Sequence, residues 1–326
     1  MIYQRACDIV TDDVFLELDG VLTDSRLFLK LEGMNPAGSV KLKSALGMVE
    51  DAEKRGVLWP GGRMVESSSG SLGIALAVIA AARGYHFTCV TDPNISPQSL
   101  SLIRALGAEV VQVTRRDRNG GYLGSRIARI REMTGADAGL VWLNQYANPA
   151  NAQAHARRTA TSILKNIGHV DVLLVGAGTT GTLMGCTRHF RAFSPWTRIV
   201  AVDTTGSVTF GGPPGPRHIP GLGTSRRPEL CRPDQVDEVV LVDEPDAVRM
   251  CRRLAREHGL PLGGSTGSVL AALESITDRI PAGSRVVALS PDMGDRYAKT
   301  IYDDLWVADT FGADVLDDSG SYPVAV

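Results

Sequence analysis

Between residues 63 and 143, short β-branched runs alternate with longer stretches whose apolar positions recur every three to four residues. Segments 63–67, 87–92, 108–113 and 141–143 read as strands, and 71–83, 97–106 and 121–133 as the helices between them. The pattern resumes further on: 170–178, 198–203, 236–243 and 284–290 read as strands, and 181–192, 245–257 and 266–277 as helices. Such βα alternation predicts a mostly parallel sheet. Strand count alone fits either a closed eight-stranded barrel or open doubly wound sheets, and the loops favour the open form. The Gly/Pro-rich run FGGPPGPRHIPGLGTS (210–225) is too long for a plain connector and predicts a functional or mobile loop. A change of character at YANPAN, near residue 148, predicts a domain crossing, and the acidic tail after Asp309 is expected to be ordered only by docking.

Composition narrows the class. With 326 residues, 44% of them hydrophobic, the chain can bury a large core unaided. Its 34 basic and 36 acidic residues are spread along the chain without a basic stripe, so nucleic acid is not expected as a partner. The longest apolar stretch, 73–82, is about half of what a bilayer span needs. The start, MIYQRACDIVTDD, has neither a basic nor a continuous apolar signal region, and a cytoplasmic location is expected. Five widely spaced cysteines without a CxxC fit reduced thiols, and no metal site is expected. Only six of the basic residues are lysines, which makes each one worth inspecting.

Three segments carry candidate chemistry. In LKLEGMNPAGSVKLK (29–43) an Asn-Pro and Gly-Ser turn leads into a helix, with Ser39 as the expected cap, and places Lys41 among unpaired N–H groups whose potential disfavours its ammonium form. Such an amine can form a Schiff base, although a solvated lysine on an amphipathic helix fits the same residues. ESSSGSLG (66–73) ends a strand and opens a very apolar helix, so its N–H groups, with Ser68 and Ser69, suit a carboxylate, or else form a plain Ser-rich cap. VDVLLVGAGTTGTLMG (170–185) is strand, glycine-rich turn and helix, a phosphate cradle. Gly176, Gly178 and Gly181 also satisfy GxGxxG with Asp203 about 20 residues on, as a dinucleotide site requires, whereas Thr179, Thr180 and Thr182 suit a single monophosphate.

Taken in order, these motifs resemble the fold type II pyridoxal phosphate enzymes, the cysteine synthase and cystathionine β-synthase group, over roughly residues 10–305. The resemblance implies an α/β fold with two open, twisted, mostly parallel sheet domains and the cofactor, pyridoxal 5′-phosphate, in the cleft between them. The large domain would comprise 10–39 and 149–326, and the small, carboxylate-binding domain 40–148. It implies Lys41 as the cofactor-bearing lysine, Gly178 to Thr182 as the phosphate loop, Ser68, Ser69 and Gly70 as the substrate-carboxylate loop, and Gln145 beside that carboxylate. Ser71 stands where most relatives have an Asn that bonds the cofactor's 3′ oxygen, and Asp292 where cysteine synthases place a Ser near the ring nitrogen. Leu42 and Lys43 replace the Asp-Arg usual after the lysine, and this, with YAKTIYDDLW (297–306), resembles the branch that makes N-(2-amino-2-carboxyethyl)-L-glutamate from O-phospho-L-serine and L-glutamate. That implies a β-replacement in 2,3-diaminopropionate biosynthesis by a homodimer acting on small amino acids. Lys43, Arg217 and His218 would supply positive charge at the entrance, and loop 210–225 would close over the site. A thiol-using synthase is the nearest alternative, followed by a catalytically idle regulator and a dinucleotide dehydrogenase.

Overall fold

The computed structural model describes residues 2–117 and 120–317. Its strands are β1 (Phe15–Leu18), β2 (Arg26–Leu31), β3 (Arg63–Ser67), β4 (His86–Thr91), β5 (Glu109–Gln112), β6 (Leu140–Trp142), β7 (Val172–Gly176), β8 (Arg198–Thr204), β9 (Glu238–Val242) and β10 (Arg285–Ser290). The helices are α1 (Lys41–Lys54), α2 (Ser71–Arg83), α3 (Pro97–Ala105), α4 (Leu123–Ala136), α5 (Pro149–His155), α6 (Thr161–Ile167), α7 (Gly181–Phe193), α8 (Glu244–His258), α9 (Gly264–Ser275) and α10 (Asp304–Phe311). Two open sheets result, ordered β1-β2-β10-β7-β8-β9 and β5-β4-β3-β6. Every neighbouring pair is parallel except β1 with β2.

The inner strands of the larger sheet, β2, β10, β7 and β8, are buried on both faces, which explains their unbroken Val/Leu/Ile runs. Leu27, Leu29, Val172, Leu174, Val200, Val202, Val286 and Ala288 face α8 and α9, while the intervening Phe28, Leu173, Val175, Ile199, Ala201 and Val287 face the α6 and α7 side. This period of two is the pleat itself. In the smaller unit, the helix α2 is apolar on all sides, with Leu72 to Ala80 buried, because it lies between β4, α1 and α3. Part of the acidic tail is docked: Phe311, Val315 and Leu316 pack with Ile219 and Val248 in a small satellite core, and residues 318–326 lie outside the described residues.

The segment after β2 runs beside the end of β10. Glu32 N–H donates to the Ser290 carbonyl at 2.9 Å, Val40 N–H to the Pro291 carbonyl at 2.7 Å, and Ser39 bridges Asp292. Lys41 therefore starts α1 next to Asp292. Ser39 contributes less as a cap than its residue type suggests, since its hydroxyl stands 3.4 Å from the Lys41 N–H and Val40 occupies the capping position without a side-chain bond.

Lys43, one turn face away, corrects an expectation. It is buried, not at an entrance, and pairs with Glu32 at 2.6 Å and Asp12 at 2.7 Å. Lys30 joins through Glu32 at 3.4 Å and Ser162 at 3.1 Å. Removing Lys43 leaves the fully buried Glu32 with Lys30 alone, at 3.4 Å, so Lys43→Met should lower unfolding free energy by about 3–5 kcal/mol. A urea midpoint equal to that of the unmodified protein would contradict this.

Candidate active site

A cavity lies where these elements meet, and Lys41, Ser71, Thr180, Gly221, Ser265 and Asp292 are among its lining residues. Burial pushes the Lys41 ammonium down to about 8 against the opposing pull of Asp292. The direction agrees with the sequence expectation, and the largest cause is desolvation by burial. Asp292 is buried and does not point to solvent: its Oδ2 accepts from the Tyr297 hydroxyl at 2.8 Å, while its Oδ1 is sealed from water without a hydrogen-bond partner. Burial pushes this carboxyl up to about 6, and Tyr297, Arg296 and Lys41 hold it from rising further.

The glycine-rich turn forms the second wall. Thr180 adopts a left-handed backbone (φ 63°) at the cap of α7, an uncommon conformation for a branched residue, and its buried hydroxyl has no partner. Gly178 has no room for a side chain, since a Cβ there would stand 2.5 Å from the Gly221 carbonyl oxygen. Thr179 receives the Asn151 amide at 3.5 Å, and Thr182 lies 3.3 Å from His155 Nε2. His155 also meets Ser44 at 2.9 Å, and burial holds its imidazole well below the usual range, hence neutral. The turn thus offers the N-terminus of a thirteen-residue helix together with an unspent hydroxyl, which is what a phosphate needs.

The Ser-rich turn forms the third wall. Ser68 is spent on the turn itself: its Oγ accepts from Gly70 N–H at 3.2 Å and Gly73 N–H at 2.9 Å. Ser69 and Gly70 are half-buried at the helix start, and Ser71 faces the cavity with its hydroxyl 3.3 Å from Arg296 Nη1. Gln145 lies behind this turn, donating its amide to the Ser67 carbonyl at 2.8 Å. Glu66, given no role in the sequence reading, anchors both: it accepts from Ser67 N–H at 2.7 Å and Gln145 N–H at 3.1 Å, and burial pushes its carboxyl up to about 7. A lone glutamate inside an apolar strand was the only signal available for it. Arg296, Tyr297, Asn151 and His155 were likewise missed, since their roles depend on partners far along the chain.

Arg217 and His218 are not brought to the cavity. Arg217 folds back to the Gly206 carbonyl, and the His218 ring sits edge-on to Phe311 at 5.7 Å. Loop 210–225 is fastened rather than open, through Gly223 N–H to the Ala177 carbonyl at 2.9 Å and Ile219 N–H to Glu244 at 2.7 Å. Its Gly221 and Leu222 line the cavity directly. Asp203, the acid a dinucleotide ribose would require, is buried against its own strand end, its Oδ1 taken by Thr204 N–H at 2.9 Å. Among the described residues no cluster of potential metal ligands occurs, and no helix is long and apolar enough to cross a membrane.

Comparison with known proteins adds three findings. Residues 15–292 match the family model described as pyridoxal-phosphate dependent enzyme. Two curated relatives, both N-(2-amino-2-carboxyethyl)-L-glutamate synthases, are similar over most of their length: that of Ralstonia nicotianae is 44% identical over 285 residues (87% of this chain, 84% of the relative). That of Cupriavidus metallidurans is 45% identical over 289 residues (87% and 85%). Among solved structures, O-ureido-L-serine synthase superposes with a TM-score of 0.86 at 33% identity, covering 98% of both chains. The O-acetylserine dependent cystathionine β-synthase of Helicobacter pylori gives 0.84 at 27%, covering 92% of this chain and 98% of its own.

Because the Tyr297 hydroxyl favours the charged form of Asp292, Tyr297→Phe should move the Asp292 titration upward from about 6. Infrared titration of the buried carboxyl band reads this directly, and an unmoved midpoint would speak against the hydrogen bond.

Proposed function

The chain belongs to the pyridoxal-phosphate dependent enzymes, and on that premise we propose that it replaces the phosphate of O-phospho-L-serine by the amine of L-glutamate, giving N-(2-amino-2-carboxyethyl)-L-glutamate and phosphate for 2,3-diaminopropionate biosynthesis. The observation that carries the reading is the pair of curated relatives of that name, 44% and 45% identical across 87% of the chain. The cavity fits the cofactor on its own terms: an amine with a depressed pKa, a glycine and threonine turn with an orphaned buried hydroxyl, and a buried carboxyl with one unpartnered oxygen all face one space.

In this reading Lys41 would hold the cofactor's aldehyde carbon, and Gly178, Thr179, Thr180, Gly181 and Thr182 its phosphate. Asp292, steadied by Tyr297, would serve its ring nitrogen, and Ser71, carrying Arg296, its 3′ oxygen. When bound, pyridoxal phosphate supplies an electron-withdrawing ring that stabilises negative charge at the donor's Cα. The net reaction exchanges a Cβ–O bond for a Cβ–N bond, the acceptor amine's proton passing to the released phosphate, and by the elimination and addition route a proton also leaves Cα and returns. Lys41 is the group to carry it, since a pKa of about 8 leaves about a tenth of the amine neutral at pH 7. The N–H groups at the start of α2, with Ser69 and Gly70, orient the donor carboxylate, while Ser68, Gln145 and Glu66 hold that turn in place. The units 40–148 and 10–39 with 149–326 supply opposite walls of the cleft. A homodimer in the cytoplasm belongs to the same reading.

Lys41→Ala is expected to abolish the visible absorbance of the purified protein, and persistence of the yellow colour would assign the cofactor to another lysine. Purified enzyme given O-phospho-L-serine with L-glutamate, sulfide or homocysteine should release phosphate and yield the glutamate adduct by mass spectrometry. A thioether or cysteine product, with no glutamate adduct, would transfer the chain to the thiol-using synthases.

A further inference from the structure

Arg296 joins three stretches that lie far apart in the chain. Its Nη1 donates to the Ser71 hydroxyl at 3.3 Å and its Nη2 to the Ala37 carbonyl. The same Nη2 rests against Gly38, where a Cβ would stand only 2.6 Å away. Gly38 has φ 63°, so the turn before Lys41 takes a left-handed backbone and carries no side chain at the point where the guanidinium lies. Among the described residues Arg296 forms no ion pair, and its bond to Ser71 is the only hydrogen bond of that serine's side chain. A half-buried cation is thus spent on two neutral oxygens, one at the edge of the cavity and one in the turn that leads to Lys41.

A guanidinium has donors only, whereas a serine hydroxyl both donates and accepts and turns about its Cβ–Oγ bond. With Arg296 donating, the Ser71 oxygen is the acceptor of that contact, and its own proton is directed elsewhere. Ser71 lines the cavity with Lys41, Thr180 and Asp292, which is the polar space open to that proton. We propose that Arg296 is a positioning residue that turns the Ser71 hydroxyl into a fixed donor toward the cofactor's 3′ oxygen. The proposal rests on the reading above that Ser71 serves that oxygen, and it is independent of which amino acids react.

A donor at the 3′ oxygen favours its ionised form, which absorbs in the visible, over its protonated form, which absorbs in the near ultraviolet. In cofactor-saturated protein at fixed pH, Arg296→Met should lower the ratio of visible to near-ultraviolet absorbance by about twofold or more. Gly38→Ala, which crowds the guanidinium out of its seat while leaving Arg296 in the chain, should move the ratio in the same direction and provides a second, independent perturbation. An amide nitrogen is a permanent donor, so in the Ser71→Asn background both changes should leave the ratio where it was. An unaltered ratio in Arg296→Met overturns the proposal. An equal loss with and without Ser71→Asn also overturns it, since Arg296 would then act through its charge or through the fold and not through the hydroxyl. Ser71→Ala separates the two levels: a ratio lowered there but not in Arg296→Met keeps the role of Ser71 and removes that of Arg296, whereas an unchanged ratio in Ser71→Ala removes the reading on which the proposal rests.

Discussion

The arrangement depends on backbone pairing between residues 32–40 and the end of β10. Three contacts, Glu32 to Ser290, Val40 to Pro291 and the Ser39–Asp292 bridge, fix where α1 begins. They leave so little space that a side chain at Gly33 would stand 2.9 Å from the Met293 nitrogen. With that start fixed, Lys41 looks into the cavity toward Asp292, and Lys43 faces the buried Glu32 and the half-buried Asp12 on the opposite side. Two lysines two residues apart thus receive opposite duties: one is left without a close acidic oxygen, while the other is saturated with them.

The electrostatics follow from burial. Lys41 and Asp292 are close enough to favour each other's charged forms, yet the amine is drawn down to about 8 and the carboxyl up to about 6, so desolvation outweighs their attraction. Both groups are therefore poised near the middle of the pH scale, where a proton can be moved at modest cost. Glu66, held near 7 beneath the Ser-rich turn, shows the same balance in a supporting position.

Most of the framework was legible in the sequence. Helix α2 ends at Gly84 in the left-handed conformation, as its composition suggests, and α7 begins at the glycine of the turn. The period-two burial of β7, β8 and β10 was readable as apolar runs. β1 and β2 were less so: β2 carries a buried lysine, Lys30, whose partners Asp12, Glu32 and Ser162 are set by tertiary packing. Helix α4 begins later than its apolar spacing indicates because the Asp117 carboxylate takes the Gly124 N–H at 2.7 Å. The motif residues Lys41, Ser71, Thr180 and Asp292 do converge on one cavity, whereas Lys43, Arg217 and His218 do not, since a cation's exposure is decided by neighbours that no local pattern encodes.

The topology also dictates an order of assembly. β5-β4-β3-β6 is made entirely from 63–142 and can pair as soon as that stretch is available. β2, by contrast, must wait for β10, in which Arg285 pairs with Arg26 across nearly the whole length of the chain. Long loops of this kind are closed late, after local contacts have formed. During synthesis on the ribosome the lysine-bearing segment therefore spends most of its time without its carboxyl neighbour, and a truncated or stalled chain has no competent centre to expose to the metabolite pool.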